Sequence, residues 1–196
     1  MSENPQPSPL SGVPWPVRTD RLTLRLATSG DTEAVWQFRR LPAVSQWLTQ
    51  APATLEAFRA RFERPDSLAK TLVVGLADDL IGDLMLEIQD AWAQAEVVDQ
   101  ARGVQAELGW AFHPDHGGRG YATEAVRALL RVCFEDLRLH RVTASCFADN
   151  EASRRLMERV GMRRETHTVR ESLHRSGEWL DGMGYAILAD EWAGQA

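Results

Sequence analysis

The sequence predicts a single α+β domain with a mixed, mostly antiparallel central sheet of six to seven strands flanked by helices. Three observations lead to this class. Stretches of alternating apolar residues are interspersed with stretches of helical spacing, two strand-like stretches form a hairpin, and 196 residues suit one core. With 44% apolar and 26% charged residues, the composition excludes collagen-like, coiled-coil and wholly disordered chains.

The N-terminal part of the chain divides into a tail and the start of the domain. Residues 1–16 hold five of the nine prolines, so we expect an extended, disordered tail before a domain that spans residues 17–196. The run RLTLRL then alternates apolar and polar residues, which indicates a strand. The SGD sequence and Thr54 are typical N-caps, and each precedes apolar residues at helical spacing.

The middle of the chain is rich in strand patterns. TLVVGLA (71–77) and LIGDLMLEI (80–88) flank two aspartates, which is typical of a hairpin turn. The polar stretch 90–103 predicts a loop, and QAELGWAF (105–112) predicts another strand. Beyond Gly120, apolar residues recur at helical spacing as far as Leu137, which predicts a helix of more than four turns.

The last quarter of the chain alternates strands with one short helix. HRVTASCFA (140–148) predicts a strand, and Asn150 begins a helix that a C′ glycine, Gly161, closes. Two final strand-like runs lie around residues 162–171 and 183–188, on either side of a turn. The order of elements is therefore that of an α+β domain rather than of an alternating parallel one.

Charge and hydropathy exclude several partners. The net charge of −6 argues against a nucleic-acid partner. The sequence has no apolar run long enough for a membrane span, and its start lacks the pattern of a secretory signal. We therefore expect a cytoplasmic protein. Acids dominate residues 76–107, and arginines dominate residues 154–175. These stretches are either two solvated faces, or sites for a cationic acceptor and a polyanionic ligand.

The cysteines and histidines do not form a metal-binding pattern. Cys133 and Cys146 lie within apolar patterns, so we expect reduced, partly buried thiols rather than a disulfide framework. The pair His113-x-x-His116 has no cysteine or carboxylate partner at metal-ligand spacing. We therefore expect no metal site.

The densest chemistry lies between residues 107 and 124, where a strand runs into three glycines and a helix begins at once. Glycine lets the backbone approach a ligand closely, and the first amides of a helix lack internal partners. Together they suit a pyrophosphate. The turn lacks the Gly-Lys-Ser/Thr of a Walker A loop and the Gly-x-Gly-x-x-Gly of a Rossmann fold, so a plain turn is the alternative.

This region resembles the acetyl-CoA motif of the GNAT superfamily of N-acetyltransferases, Gln/Arg-x-x-Gly-x-Gly/Ala. In this chain the motif is Gly117-Gly118-Arg119-Gly120-Tyr121-Ala122, followed by Thr123-Glu124-Ala125. The run from Gly120 to Ala125 is similar in particular to the Rim-type branch, which contains the ribosomal-protein N-terminal acetyltransferases. Asn150-x-x-Ser153 and the segments 18–25 and 177–192 extend the similarity to about residues 17–193.

The resemblance implies an enzyme that transfers acetyl from acetyl-CoA to a primary amine by direct attack. The amine would belong to a protein N-terminus or a small molecule, and assembly as a homodimer is left open. Backbone groups from Trp110 to His113 would contact the pantetheine and supply an oxyanion donor. The implied cofactor-binding residues are Phe112, His113, Gly117, Gly118, Arg119, Gly120, Tyr121, Ala122, Thr123, Asn150 and Ser153.

Two positions depart from the family pattern. Gly117 replaces the usual Gln or Arg, and Met157 replaces the Tyr that protonates the leaving thiolate in many members. Ser153 is therefore the candidate for contacting the thiol. These departures keep a non-catalytic CoA-binding module as the alternative function.

Glu107, on the strand beside the thioester, is the first candidate for the general base, and Glu87 is the second. A solvent-facing or otherwise satisfied carboxylate is the alternative interpretation of Glu107. Trp36, Trp47 and Trp92 are candidates for the walls of an acceptor pocket, with core packing as the alternative.

Overall fold

The structure, a computed structural model, describes residues 9–194 and contains one sheet of eight strands, slightly more than the six to seven predicted. The strands are β1 (Val17–Arg18), β2 (Leu22–Leu26), β3 (Thr71–Leu76), β4 (Asp79–Gln89), β5 (Gln105–Phe112), β6 (Arg141–Phe147), β7 (Arg163–Leu173) and β8 (Trp179–Leu188). Their order across the sheet is β1-β2-β3-β4-β5-β6-β8-β7, and only the β5–β6 pair is parallel. The additional strand is β1, whose two residues are too few to form a periodic pattern.

The helices are α1 (Thr32–Arg39), α2 (Pro42–Ser45), α3 (Leu55–Phe62), α4 (Pro65–Leu68), α5 (Tyr121–Arg131), α6 (Glu151–Arg159) and α7 (Ala189–Ala193). Thr54 caps α3 as predicted, because its hydroxyl accepts a hydrogen bond from the Ala57 amide at 3.2 Å. The predicted long helix is formed by α5 and by the π-helical turn that follows it, Val132–Asp136. The helical segment therefore ends just before Leu137. The predicted loop at 90–103 includes a 3₁₀ helix, Ala95–Ala101.

The chain just before β1 differs from the predicted disordered tail. Pro9–Gly12 form a 3₁₀ helix, and Leu10 and Val13 are only 2% and 5% exposed within the main core. The indole nitrogen of Trp15 donates a hydrogen bond to the Leu10 carbonyl at 2.8 Å. Burial of these apolar side chains offsets the entropy lost by ordering a proline-rich segment. The rest of the predicted tail, residues 1–8, lies outside the described residues.

Side-chain alternation gives the sheet two different faces. One face packs on α5 in the main core, and it includes Leu72, Val74, Leu84, Leu86, Ala106 and Leu108. The other face carries a smaller apolar cluster that joins α1 and α3 to Val73 and Ala111. The odd-numbered residues of β4 from Asp83 onward, and those of β5 from Glu107 onward, lie on this second face.

The middle of the sheet opens between β5 and β6. These parallel strands pair only from Gln105↔Arg141 to Glu107↔Thr143. Farther along, β5 continues to pair with β4, and β6 continues to pair with β8. The facing edges of the two strands therefore separate beyond Glu107, which leaves a cleft bordered by backbone groups that no ladder partner satisfies.

Candidate active site

A cavity of about 390 Å³ adjoins this cleft on the α1–α3 face of the sheet. Odd-numbered residues of β4 and β5 form its floor, and α1, α3, a segment at 46–52 and the start of α6 form its walls. Glu107, Asn150 and Ser153 all line it. The structure thus brings together the two residues that the sequence nominates for catalysis, which lie on different elements.

Ser153 is held from two sides. The side-chain oxygen of Asn150, the N-cap of α6, accepts a hydrogen bond from the Ser153 amide at 3.2 Å. The Trp110 indole nitrogen, on β5, donates to the Ser153 hydroxyl oxygen at 3.2 Å. A hydroxyl that accepts one hydrogen bond still has its own proton to donate. The sequence pattern indicates only a backbone role for Trp110 and gives no sign of this contact, because no local signal relates β5 to α6.

Glu107 and Glu87 face each other across the β4–β5 ladder, and both line the cavity. Glu87 forms an ion pair of 2.7 Å with Lys70, which compensates its charge. Glu107 accepts a hydrogen bond from the Gln89 side chain at 3.3 Å, and no cation of the described chain lies within ion-pair distance of it. Of these two carboxylates, Glu107 is the one without a cationic partner in the described chain, so it stays the first candidate for the base.

Residues 46–52, here called the roof, close the cavity opposite its floor. Two side chains of the turn between β7 and β8 contact main-chain carbonyl groups of the roof and hold it in place. His174 Nε2 lies 2.9 Å from the Gln46 carbonyl oxygen, and Arg175 donates to the Leu48 carbonyl oxygen. The Trp47, Phe147 and His174 rings add an aromatic cluster, with centroids between 5.4 and 6.2 Å apart.

The three tryptophans considered as walls of an acceptor pocket lie in different places. Trp36 and Trp47 line the cavity. Trp92 does not, since it is 90% exposed on the β4–β5 connection, and its assignment to the acceptor pocket is wrong. Met157 is fully buried in the main core, so it contributes nothing to the chemistry of the cavity.

The acid-rich stretch 76–107 does not form one negative face. Asp79 begins β4 and Asp90 directly follows it, roughly 35 Å away for a strand of this length. Asp83 is 1% exposed and is paired with Arg39, and Glu87 is paired as well. The charges are therefore spread along the chain or compensated, and Glu107 is the acid of this stretch that lines the cavity without a cationic partner in the described chain.

The turn between β5 and α5 adopts the conformations that its glycines permit. Gly118 and Gly120 have φ angles of +73° and +80°, where side-chain-bearing residues are strained. A Cβ on Gly118 would meet no atom within 4 Å, so this part of the turn faces open space. The first amides of α5, from Tyr121 to Thr123, precede the first helical hydrogen bond, which Glu124 donates to Gly120.

Glu124 fastens the start of α5 to the chain before β2. Its carboxylate accepts hydrogen bonds from the Thr19 hydroxyl at 2.6 Å and from Arg21 Nε at 2.7 Å. Arg21 also donates to the Arg119 carbonyl at 3.1 Å and lies 4.6 Å from the Tyr121 ring centroid. Burial raises the pKa of Glu124, but the Thr19 and Arg21 hydrogen bonds outweigh it and hold the pKa below its ordinary value. Sequence reasoning did not foresee these partners.

The remaining residues that are predicted to bind the cofactor lie at the end of β5 and at the start of α5. Phe112 ends β5, and His113 follows it, with its Nδ1 accepting a hydrogen bond from the Asp115 amide at 3.2 Å. Thr123 accepts a hydrogen bond from Arg159 at 3.2 Å, which ties α5 to α6. These residues therefore form a path that runs from Ser153 along the edge of β5 to the glycine turn.

Neither cysteine is set up as a nucleophile. Cys133 is buried and free, and Cys146 is free and lines the cavity. Burial raises the pKa of the Cys146 thiol to about 11, so it is protonated at neutral pH. Within residues 9–194, no group of three or more His, Cys, Asp or Glu side chains is placed to hold a metal ion.

Comparison with known proteins identifies the class of enzyme. The family described as acetyltransferase (GNAT) domain matches residues 21–163, and this chain belongs to it. Over 180 residues, 90% of this chain and 98% of the relative, the chain is 31% identical to the uncharacterized N-acetyltransferase YnaD of Bacillus subtilis (strain 168). The crystal structure of the acetyltransferase (GNAT family) from Bacillus anthracis aligns with a TM-score of 0.74 at 31% identity, covering 89% of this chain and 98% of that one.

A relative with a named substrate class is the L-amino acid N-acetyltransferase AaaT of Escherichia coli (strain K12). It is 26% identical over 162 residues, 82% of this chain and 93% of the relative. The protein is thus an N-acetyltransferase of the GNAT fold, which transfers acetyl groups to amines, and its family uses acetyl-CoA as the donor. In the described part of the chain, no helix combines the length and apolar character needed to cross a bilayer.

Proposed function

We propose that this enzyme binds acetyl-CoA in the cleft between β5 and β6 and acetylates a primary amine that occupies the adjoining cavity. One observation carries the proposal: Glu107 and Ser153 line the same cavity, at the point where the two strands separate. A base and a thiol-contacting hydroxyl are the two groups that direct acetyl transfer needs on either side of a thioester. We place the enzyme in the cytoplasm, which its two free cysteines support.

The cofactor would be held mainly by backbone groups. The pyrophosphate would lie on the amides of residues 118–123, at the positive end of α5. The pantetheine would extend along the free edge of β5, pairing with groups between Trp110 and His113. Gly117 supplies no side chain, so the backbone amides of the turn replace the Gln or Arg contact of other family members.

The reaction begins when the acceptor loses a proton. An α-amino group has a pKa of roughly 7.7–8.0, so part of it is already neutral at physiological pH. Glu107 accepts the proton from the charged fraction, directly or through water. The neutral nitrogen then attacks the thioester carbonyl and forms a bond to its carbon, and a backbone N–H of β5 donates to the resulting oxyanion.

The nitrogen of the tetrahedral intermediate gives its surplus proton to solvent, and the intermediate collapses with cleavage of the carbon–sulfur bond, which releases CoA as a thiolate that solvent then protonates. The Ser153 hydroxyl donates a hydrogen bond to the sulfur as its negative charge develops, and Trp110 keeps that hydroxyl oriented by donating to its oxygen. Ser153 is therefore the candidate catalytic residue for the leaving group, and Trp110 is a positioning residue that acts through it.

The experiment is a turnover assay with purified protein, acetyl-CoA and a panel of α-amines, amino acids, peptides and polyamines. We expect free CoA and the acetylated amine in equal amounts, measured by thiol titration and by mass spectrometry of the amine. Binding of acetyl-CoA without an acetylated product from any amine would instead identify a non-catalytic CoA-binding module. CoA release without acetylated amine would indicate hydrolysis only.

A further inference from the structure

We infer that the acceptor carries a carboxylate as well as its amine, and that Arg61 at the mouth of the cavity binds this carboxylate. The inference rests on the proposed function, because it specifies which amines the same cavity selects. It applies to carboxylates from two sources, the α-carboxylate of a free amino acid and an acidic side chain near the N-terminus of a peptide.

The first support is the distribution of charge inside the cavity. Three cations line it, namely Arg39, Arg61 and Lys70. Asp83 neutralises Arg39 through hydrogen bonds of 2.6 and 2.8 Å, and Glu87 neutralises Lys70. Arg61 contacts the side-chain oxygen of Gln50 in the roof, and no carboxylate of the described chain lies within ion-pair distance of it.

The second support is the surroundings of Arg61. It lies on α3, and partial burial together with the neighbouring guanidinium groups of Arg39 and Arg64 lowers its pKa. Asp83 and Asp66 pair with those two guanidinium groups, so Arg61 is the one of the three whose charge stays available to an anion. A guanidinium group has five N–H donors in a planar fork, so the contact with Gln50 leaves donors for a two-point bond to a carboxylate.

The third support is the complementary group elsewhere in the cavity. Among residues 9–194, the Glu107 carboxylate has no cationic partner and the Arg61 guanidinium has no anionic one. A ligand that carries both an ammonium and a carboxylate group satisfies both at once. A purely cationic acceptor such as a polyamine would leave Arg61 unpaired and would place like charges near each other.

The test compares acceptors with and without the carboxylate, each pair assayed at a pH at which both amines are deprotonated, because amidation also lowers the pKa of the amine. One pair is L-phenylalanine and L-phenylalanine amide, and the other is a pair of amidated peptides with Glu or Gln at the second position. We expect wild-type enzyme to prefer the anionic member of at least one pair, through a lower KM. Arg61→Gln should raise the KM for that member roughly tenfold or more, with less than a twofold change for the neutral member. Arg61→Lys should restore part of the loss.

Arg59→Gln is the matched control. Arg59 lies on the same helix, is exposed, and pairs with Glu33 at 2.9 Å outside the cavity, so its removal should not alter either KM. The pair that discriminates identifies the source of the carboxylate. A KM effect of Arg61→Gln that is equal for anionic and neutral acceptors would overturn the inference, and so would a wild-type enzyme that prefers the neutral members. Absence of turnover with every amine would instead contradict the proposed function.

Discussion

Trp110 and Ser153 are joined by a hydrogen bond of 3.2 Å across the opening in the sheet. Trp110 belongs to the strand that borders the proposed cofactor cleft, and Ser153 belongs to the helix on its other side. The bond orients the serine hydroxyl before any substrate arrives. An oriented donor needs little reorganisation when charge develops on the leaving sulfur.

Replacement of Ser153 by alanine should lower kcat about tenfold and should change the dissociation constant of acetyl-CoA less than twofold. The reason is that the hydroxyl is needed most as the thiolate forms. Trp110→Phe should show the same pattern with a smaller loss, because the hydroxyl remains but is no longer held. Steady-state kinetics and isothermal titration separate the two quantities, with the exposed Ser29→Ala as control. Equal losses in kcat and affinity would make Ser153 a cofactor-positioning residue.

Glu107→Gln should reduce kcat/KM most strongly at low pH, where the amine is protonated and needs a base. We expect a loss of roughly a hundredfold near pH 6, which shrinks as the pH approaches the pKa of the amine. Glu87→Gln provides the comparison, since Lys70 already engages that carboxylate. The measurement is a pH–rate profile of each variant. A Glu107→Gln profile parallel to that of the wild type would remove Glu107 from the mechanism.

Gly118→Ala and Gly177→Ala form a matched pair for the glycine turn. Both glycines have positive φ angles, +73° and +90°, and a Cβ on either would meet no atom within 4 Å. Each variant should therefore lose about 1–2 kcal/mol of unfolding free energy through backbone strain. Only Gly118→Ala should also weaken acetyl-CoA binding, because relief of the strain would reorient the amides of the turn. Urea denaturation and calorimetric titration measure the two effects, and unchanged acetyl-CoA affinity in Gly118→Ala would argue against the turn as the pyrophosphate site.

Glu124→Gln should destabilise the protein in a pH-dependent manner. The pKa of Glu124 is lower in the folded protein than its ordinary value of 4.5, so its charged contacts stabilise the fold above that pH. This contribution is lost as the pH falls through the folded-state pKa. The difference in unfolding free energy between wild type and variant should therefore be largest near neutral pH and should decrease below about pH 4.5. Urea denaturation at pH 7, 5 and 3.5 checks this, and a constant difference would show that the carboxylate charge plays no part.

Local sequence signals predicted the parts of the fold that depend on neighbours in the chain. The alternation in β2 to β6, the N-cap Thr54 and the glycines before α5 each have a short-range physical cause. These signals were sufficient to place the glycine turn and the strand that carries Glu107. They also gave the order of the major elements.

The contacts that complete the site could not be predicted in this way. The Glu124–Thr19 hydrogen bond and the Arg39–Asp83 ion pair join residues on elements far apart in sequence, and their partners depend on tertiary packing. Composition was misleading for the segment before β1. There the prolines outweighed the isolated apolar residue Leu10, which packs into the main core once the sheet is formed.

The anchoring of the roof has a consequence for the evolution of this enzyme. His174 and Arg175 bind carbonyl oxygens at positions 46 and 48, and every amino acid supplies such an oxygen. Leu48 lines the cavity, so a mutation at this position can change the lining without releasing the cover. Substitutions in the roof can thus change which acceptor amine is preferred, while the glycine turn and the β5–β6 opening keep their structure. One inherited scaffold can in this way diversify toward different amines.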